Sequence, residues 1–296
     1  MGGGSRYGTA LIVLAVGLLW GLNWPAVKFM MTELPPLTVR ALAFPMAACL
    51  LALVALALGH RLLPPREEIP ALVRTGLLSV FAFNALTSIG QTLTEASKAA
   101  IVAYTMPALT AVLAAFFLGE RLTGRRVAAL GIGLAGLAAL GWGSYAQVAA
   151  APAGLLVMLL AAFCWALGNV SMKARNWALS PLARTVWFFV VSTAAIWPVV
   201  LMLEEPWTVP LPSAPVLATL AFHVLGPMVV SYTLFAVLVG RLPASVAAIA
   251  TLTAPVVGVL SSILFLGEAA TAAKAVALLL IVASIAMTLA PRRGAS

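Results

Sequence analysis

Residues 96–123 read ASKAAIVAYTMPALTAVLAAFFLGERLT, and residues 244–271 read ASVAAIATLTAPVVGVLSSILFLGEAAT. At this offset of 148, twelve of the 28 positions are identical, among them Pro107/Pro255, Gly119/Gly267 and Glu120/Glu268. Alanine-rich composition explains the matched alanines but not the proline, glycine and glutamate. A fainter echo sets Trp20 and Lys28 against Trp165 and Lys173 at an offset of 145. The chain therefore divides into two related halves, 1–148 and 149–296.

The surroundings of the repeat are apolar. Hydrophobic residues make up 63% of the 296 and charged residues 8%, against about a quarter charged in soluble domains. Several uncharged runs reach the ~18 residues needed to cross a bilayer core. Cuts at charges, Pro/Gly clusters and polar turns give ten segments: 8–31, 37–58, 71–91, 98–118, 126–145, 153–173, 182–203, 214–238, 243–265 and 272–290. The expected fold is all-α and polytopic, with the lipid bilayer as solvent. Arg6 followed by an apolar run resembles a signal peptide, but no small-residue cleavage site follows, so the run is read as a retained first helix.

The net charge of +9 does not mark a nucleic-acid binder, because the basic residues lie at the ends of apolar runs. With the N-terminus inside, thirteen Lys and Arg residues fall on the cytoplasmic side, and Lys28, Arg40, Lys98 and Lys274 fall outside. That bias predicts cytoplasmic termini in a bacterial-type inner membrane. Five segments per half is an odd number, so the second half must enter the membrane inverted. Inverted repeats are a mark of secondary transporters with a midplane site. One chain with both halves is expected to work as a monomer.

Each half resembles an EamA domain of the drug/metabolite transporter superfamily. The resemblance is carried by LLWGLNWPAVK (18–28), by LPPLTVRALAFP with Pro36 and Arg40 in place, by residues 100–137, and by residues 252–287 of the second half. The sixth segment, FCWALGNVSMK, departs from the opening Trp-Gly-x-Asn pattern, and the seventh has no clear Pro-x-x-x-Arg start. Within the superfamily the likeness is greatest to the YddG-type amino-acid exporters. The resemblance implies two five-helix inverted repeats around a cavity, and export of amino acids or similar metabolites by alternating access. Multidrug or other metabolite export is the second reading.

Candidate site residues are polar groups inside apolar segments, where they face a cavity or a partner helix. Asn84, Thr87, Ser88 and Gln91 fall on one helical face of the third segment. Their alternative reading is interhelical hydrogen bonding, worth about 0.6 kcal/mol per pair. Trp20 and Asn23 on the first segment, with Trp165 and Asn169 on the sixth, are read the same way. Lys28 snorkels, and Gly17 with Gly21 make a close helix contact. His223 is either a packing residue or the candidate for proton coupling, and Tyr232 follows it. Tyr104 and Thr251 lie within a turn of Pro107 and Pro255, which free backbone carbonyls and permit bending; Gly226 and Pro227 make a further hinge. Glu120 and Glu268 are expected at surface turns, each capping the start of the following helix.

Other classes fit poorly. Aspartate is absent and histidine occurs twice, so neither a His metal cluster nor an aspartyl dyad is expected, a Ser-His-Asp triad is disfavoured, and no cofactor is expected. No phosphate-binding loop motif is present. Cys49 and Cys164 are expected to be buried small hydrophobes. A passive channel is harder to separate from a carrier; the prolines favour a chain that moves.

Overall fold

The computed structural model describes residues 3–93, 102–141, 152–266 and 271–289, and every regular element among them is helical. In order these are α1 (Gly3–Met30), α2 (Pro36–Ala57), α3 (Arg66–Leu93), α4 (Met106–Leu118), α5 (Gly124–Gly141), α6 (Pro152–Lys173), α7 (Pro181–Leu203), α8 (Ala214–Arg241), α9 (Ala244–Ala250), α10 (Thr253–Leu266) and α11 (Ala272–Leu289). Within 8–30, 36–57, 66–93, 153–173, 181–203 and 214–241 the helices are long and apolar enough to cross a membrane. Glu268 and the polar start of the repeat at residues 96–101 lie outside the described residues.

Prolines open α2 and α7, where a fixed φ suits the first turn and no N–H is lost. The free N–H groups at α2's start are met by a carboxylate from the other half: Glu204 accepts from the N–H of Leu37 at 2.9 Å and from both the N–H and hydroxyl of Thr38 at 2.7 Å. The stretches Leu77–Ala82 of α3 and Val224–Ser231 of α8 are π-helical. Single π turns often mark functional sites, and Leu77–Ala82 moved along by 148 positions falls inside Val224–Ser231.

Extensive helix pairings join α1 with α10, α6 with α4, α2 with α7, and α5 with α11. Lipid tails are as apolar as leucine, so such pairings rest on close packing rather than on escape from water. Gly17 and Gly21 bring α1 onto α10 as the sequence indicates: a Cβ at Gly21 would lie 2.6 Å from the carbonyl oxygen of Ala254. Residues matched by the repeat also touch one another. The rings of Trp20 and Trp165 meet at 5.2 Å, and those of Phe44 and Phe189, which stand at the same offset of 145, meet at 5.9 Å.

Four sequence expectations are corrected here. Cys49 is exposed on the bundle surface and Cys164 is only partly covered; a small thiol faces lipid at no polar cost. The ninth segment is not one helix, because a turn at Thr251–Leu252 separates α9 from α10. A comparable turn at Tyr104–Thr105 precedes α4, and Pro107 and Pro255 sit just after these breaks.

Lys28 does not simply snorkel; its Nζ donates to the backbone carbonyl of Gln91 at 2.9 Å, meeting the negative end of α3. Glu120 caps a different helix from the one expected. Gly119, at φ +62°, turns the chain sharply after α4. The Glu120 carboxylate then accepts from the N–H of Ala244 at 2.6 Å and from the Ser245 hydroxyl at 2.5 Å, at the start of α9. The start of α5 is served by Thr123, whose hydroxyl accepts from the N–H of Arg126 at 3.4 Å.

Candidate functional site

A cavity lies among α1, α2, α3, α6, α8 and the turn before α4. Eight of the twelve residues proposed from sequence line it: Trp20, Asn23, Asn84, Thr87, Gln91, Tyr104, Trp165 and Tyr232. Its volume is about 50 Å³, room for a few waters; an amino-acid-sized solute requires the ring side chains to part.

The aromatic wall is built from rings held by their polar ends. The Trp20 indole donates to the carbonyl of Pro227 at 3.2 Å, and that of Trp24 donates to the Tyr104 hydroxyl at 2.9 Å. Trp20, Trp165, Tyr232 and Phe235 stack edge-on or tilted with centroids 5.2–5.8 Å apart. Aromatic pairs favour such offset geometry. Pro227 carries the carbonyl for Trp20 inside the π stretch, so the pair Gly226–Pro227 is tied to the cavity wall.

The polar wall is the face of α3. Asn84 donates to the Val80 carbonyl and to the Tyr232 hydroxyl, both at 2.8 Å. Thr87 donates to the carbonyl of Asn84 at 3.0 Å, and Gln91 to that of Thr87 at 3.2 Å. The last bond orients the Gln91 amide, since a backbone carbonyl only accepts. Gln91 Oε1 is thereby left buried without a partner.

Arg40 was read from sequence as an outer-surface charge. The structure instead places it in the second turn of α2, 2% exposed and lining the cavity. Its Nε donates to Ser88 Oγ at 2.8 Å, and its Nη1 lies 3.0 Å from His223 Nε2. A guanidinium only donates, so His223 Nε2 carries a lone pair. The ring proton sits on Nδ1, which faces Asn23 Oδ1 at 2.5 Å. Ser88 and His223 therefore reach the cavity through Arg40 rather than by lining it. A second proton on His223 requires Arg40 to withdraw, which constrains any proton-coupling role.

Asn169 and Thr251 are not brought to the cavity. Asn169 is buried in α6 with both amide atoms unpartnered, and Thr251 donates to the carbonyl of Ala248 at 2.7 Å. Sequence reasoning missed Arg40, Trp24, Val27, Phe83, Met106 and Met228. One signal was available for Arg40: it stands four residues after Pro36, a helix-opening residue, and so one turn inside the helix.

The cavity lies toward the end of the bundle where α1 and α3 finish, with Val27, Gln91 and Arg40 in its wall. At the opposite end the two halves are tied together. There Glu68 accepts from the N–H of Ala178 at 2.6 Å, Arg175 donates to the Glu67 carbonyl at 2.6 Å, and Glu120 holds the start of α9. At the same end, within the second half, Lys173 donates to the carbonyl of Val239 at 3.0 Å.

Comparison with known proteins places this geometry. The model of the EamA-like transporter family matches residues 8–142 and again 152–290. The chain is 30% identical to the uncharacterized transporter YvbV of Bacillus subtilis, over 94% of this chain and 90% of that one. It is 28% identical to a probable amino-acid metabolite efflux pump of Escherichia coli, over 88% of each chain. With the aromatic amino acid exporter YddG of Ancylobacter novellus it shares 29% identity over 98% of this chain and all of the other. A crystal structure superposes with a TM-score of 0.79 at 23% identity, over 95% of this chain and 96% of that one.

Proposed function

Because the chain belongs to the EamA-like transporter family, we propose that it is a secondary transporter exporting amino acids and similar small metabolites by alternating access. One observation carries the reading. The cavity between the halves joins an aromatic wall, amide and hydroxyl groups and a guanidinium, and among the described residues its lining contains no carboxylate. That lining suits a small solute bearing a carboxylate and an apolar side chain. It does not suit a lipophilic cation, which would call for an acidic partner, so multidrug export is the weaker reading.

The carrier consists of two inverted five-helix halves, 1–148 and 149–296, and works as a monomer in the inner membrane with both termini cytoplasmic. Support comes from pairs such as Trp20–Trp165 and Phe44–Phe189, since residues related by a two-fold axis meet only near that axis. The pairings α1–α10 and α6–α4 are also mates under the repeat. In this frame the cavity faces outward, and the ties at Glu68, Arg175 and Glu120 close the cytoplasmic side. Breaks at Thr105 and Thr251, with Pro107 and Pro255 beside them, serve as hinges together with Gly226 and Pro227.

The test is transport by the purified chain in liposomes, screening the amino acids with and without a pH gradient. Flux of at least one apolar or aromatic amino acid is expected. Strong flux of a lipophilic cation while no amino acid moves would sink the reading. Comparison with His223→Ala under the same gradient decides the proton question: an unchanged pH response removes His223 from any coupling.

A further inference from the structure

We propose that the cavity recognises its solute as a zwitterion, with Arg40 taking a carboxylate and Gln91 Oε1 taking an ammonium. The inference rests on the export reading and narrows its substrate class to free α-amino acids. Esters, amides and amines of the same shape are then poor ligands.

The carboxylate subsite follows from how Arg40 is held. Among the described residues no acidic side chain pairs with it. Its two partners, Ser88 and His223, are neutral acceptors, so they aim the guanidinium without cancelling its charge. Asn23 holds the other ring nitrogen of His223, which locks that aim. Nη2 meets no acceptor among the described residues, and the side chain lines the cavity. Buried intramembrane charges are rare, and in general they face a cavity or pair with one another. A cation steadied only by neutral groups, beside open space, is arranged for an anion that arrives and leaves. A planar guanidinium with three of its five N–H donors still free, two of them on Nη2, suits a carboxylate in particular.

The ammonium subsite follows from Gln91. Its side chain is 1% exposed and lines the cavity, and its Oε1 has no partner. An unpartnered buried carbonyl oxygen is costly and wants a donor. Ser88, which holds Arg40, is three residues before Gln91 on α3, the spacing of neighbours on one helical face. Anion and cation sites therefore sit a turn apart on one wall, close enough for one small molecule to engage both. The Trp24 and Tyr104 rings stand in the same cavity, and aromatic faces attract an ammonium. Lys28 bonds the backbone carbonyl of Gln91 and leaves the side-chain oxygen free.

The experiment measures competition against exchange of labelled L-phenylalanine by the full chain in liposomes. If another amino acid leads the transport screen, that one is used with its own analogues. The competitors are unlabelled L-phenylalanine, L-phenylalaninamide, which lacks the carboxylate, and 3-phenylpropionate, which lacks the ammonium. Each analogue is expected to compete roughly ten- to a hundredfold less well, the scale of one charge-assisted hydrogen-bonded pair. Arg40→Gln should abolish the preference over the amide, and Gln91→Leu the preference over phenylpropionate. An amide that competes as well as phenylalanine on the unmodified chain overturns the proposal, even if neither variant folds. Exchange that ignores the carboxylate leaves the export reading standing and removes only this inference; exchange of no amino acid removes both.

Discussion

Asn84 donates to the Tyr232 hydroxyl at 2.8 Å across 148 residues, the offset that relates the two halves in sequence. The bond joins the face of α3 to the same level of α8, and it closes the cavity on one side. A double-mutant cycle of Asn84→Ala and Tyr232→Phe should give a coupling of about 0.6 kcal/mol, the usual size for a hydrogen bond between helices in a membrane. Thermal unfolding in detergent measures it. Simple additivity of the two losses would mean the pair is adjacent without being bonded.

Gly21 is where α1 comes closest to the backbone of α10. Gly21→Ala places a Cβ 2.6 Å from the carbonyl oxygen of Ala254, an atom that cannot swing away. Over-packing of this kind destabilises by about 1–3 kcal/mol, read as a lowered unfolding temperature. Gly131→Ala in α5 is the control, since nothing lies within 4 Å of a Cβ there. It should be neutral or gain up to about 1 kcal/mol of helix stability.

Glu120→Ala removes three hydrogen bonds at the start of α9, from the N–H groups of Ala244 and Ser245 and from the Ser245 hydroxyl. Loss of a helix cap costs about 0.5–2 kcal/mol. Ser245→Ala should cost less, and the double variant should fall short of the sum because the two act as one unit. The preference among transported solutes should stay unchanged, as Glu120 does not line the cavity.

Glu33 lies between α1 and α2, outside the spanning helices. Its carboxylate accepts from the N–H of Ser213 at 2.7 Å and from the Ser213 hydroxyl at 2.6 Å. These bonds, the hydroxyl first, hold its pKa below the ordinary 4.5. A depressed carboxylate pKa gives stability that is fully present above the ordinary value and lost as pH falls through the lowered one. The unfolding temperature should therefore drop on acidification below pH 4.5 more steeply in the unmodified chain than in Glu33→Gln. Equal slopes would show that the tie contributes nothing.

Much of this architecture is legible in the sequence alone. Uncharged runs marked the helices, and a polar residue inside such a run announces itself, which is why Trp20, Asn84 and Gln91 could be picked out. What a run of apolar residues does not state is which neighbour each face meets. Asn169 resembles Asn84 in sequence yet is packed away from the cavity. Cys49 resembles a core residue yet faces outward, because lipid accepts it as readily as protein does. Glu120 finds its partners 124 residues away, a distance at which no local pattern speaks. Arg40 was misread because a positive charge near a segment boundary looks like a topology signal. Its meaning changes once Pro36 is seen to begin the helix four residues earlier.

The two π stretches give the bundle slack at the level of the cavity. A π turn holds one residue more than an α turn, and that surplus can be passed along a helix like a ruck along a carpet. Each residue passed swivels the part beyond by about 100° and moves it by about 1.5 Å along the axis. Because α3 and α8 carry this surplus at corresponding places, the wall bearing Asn84 and Gln91 and the wall bearing Tyr232 can be re-aimed in step. Neither helix has to melt, and no backbone carbonyl is left stranded in hydrocarbon.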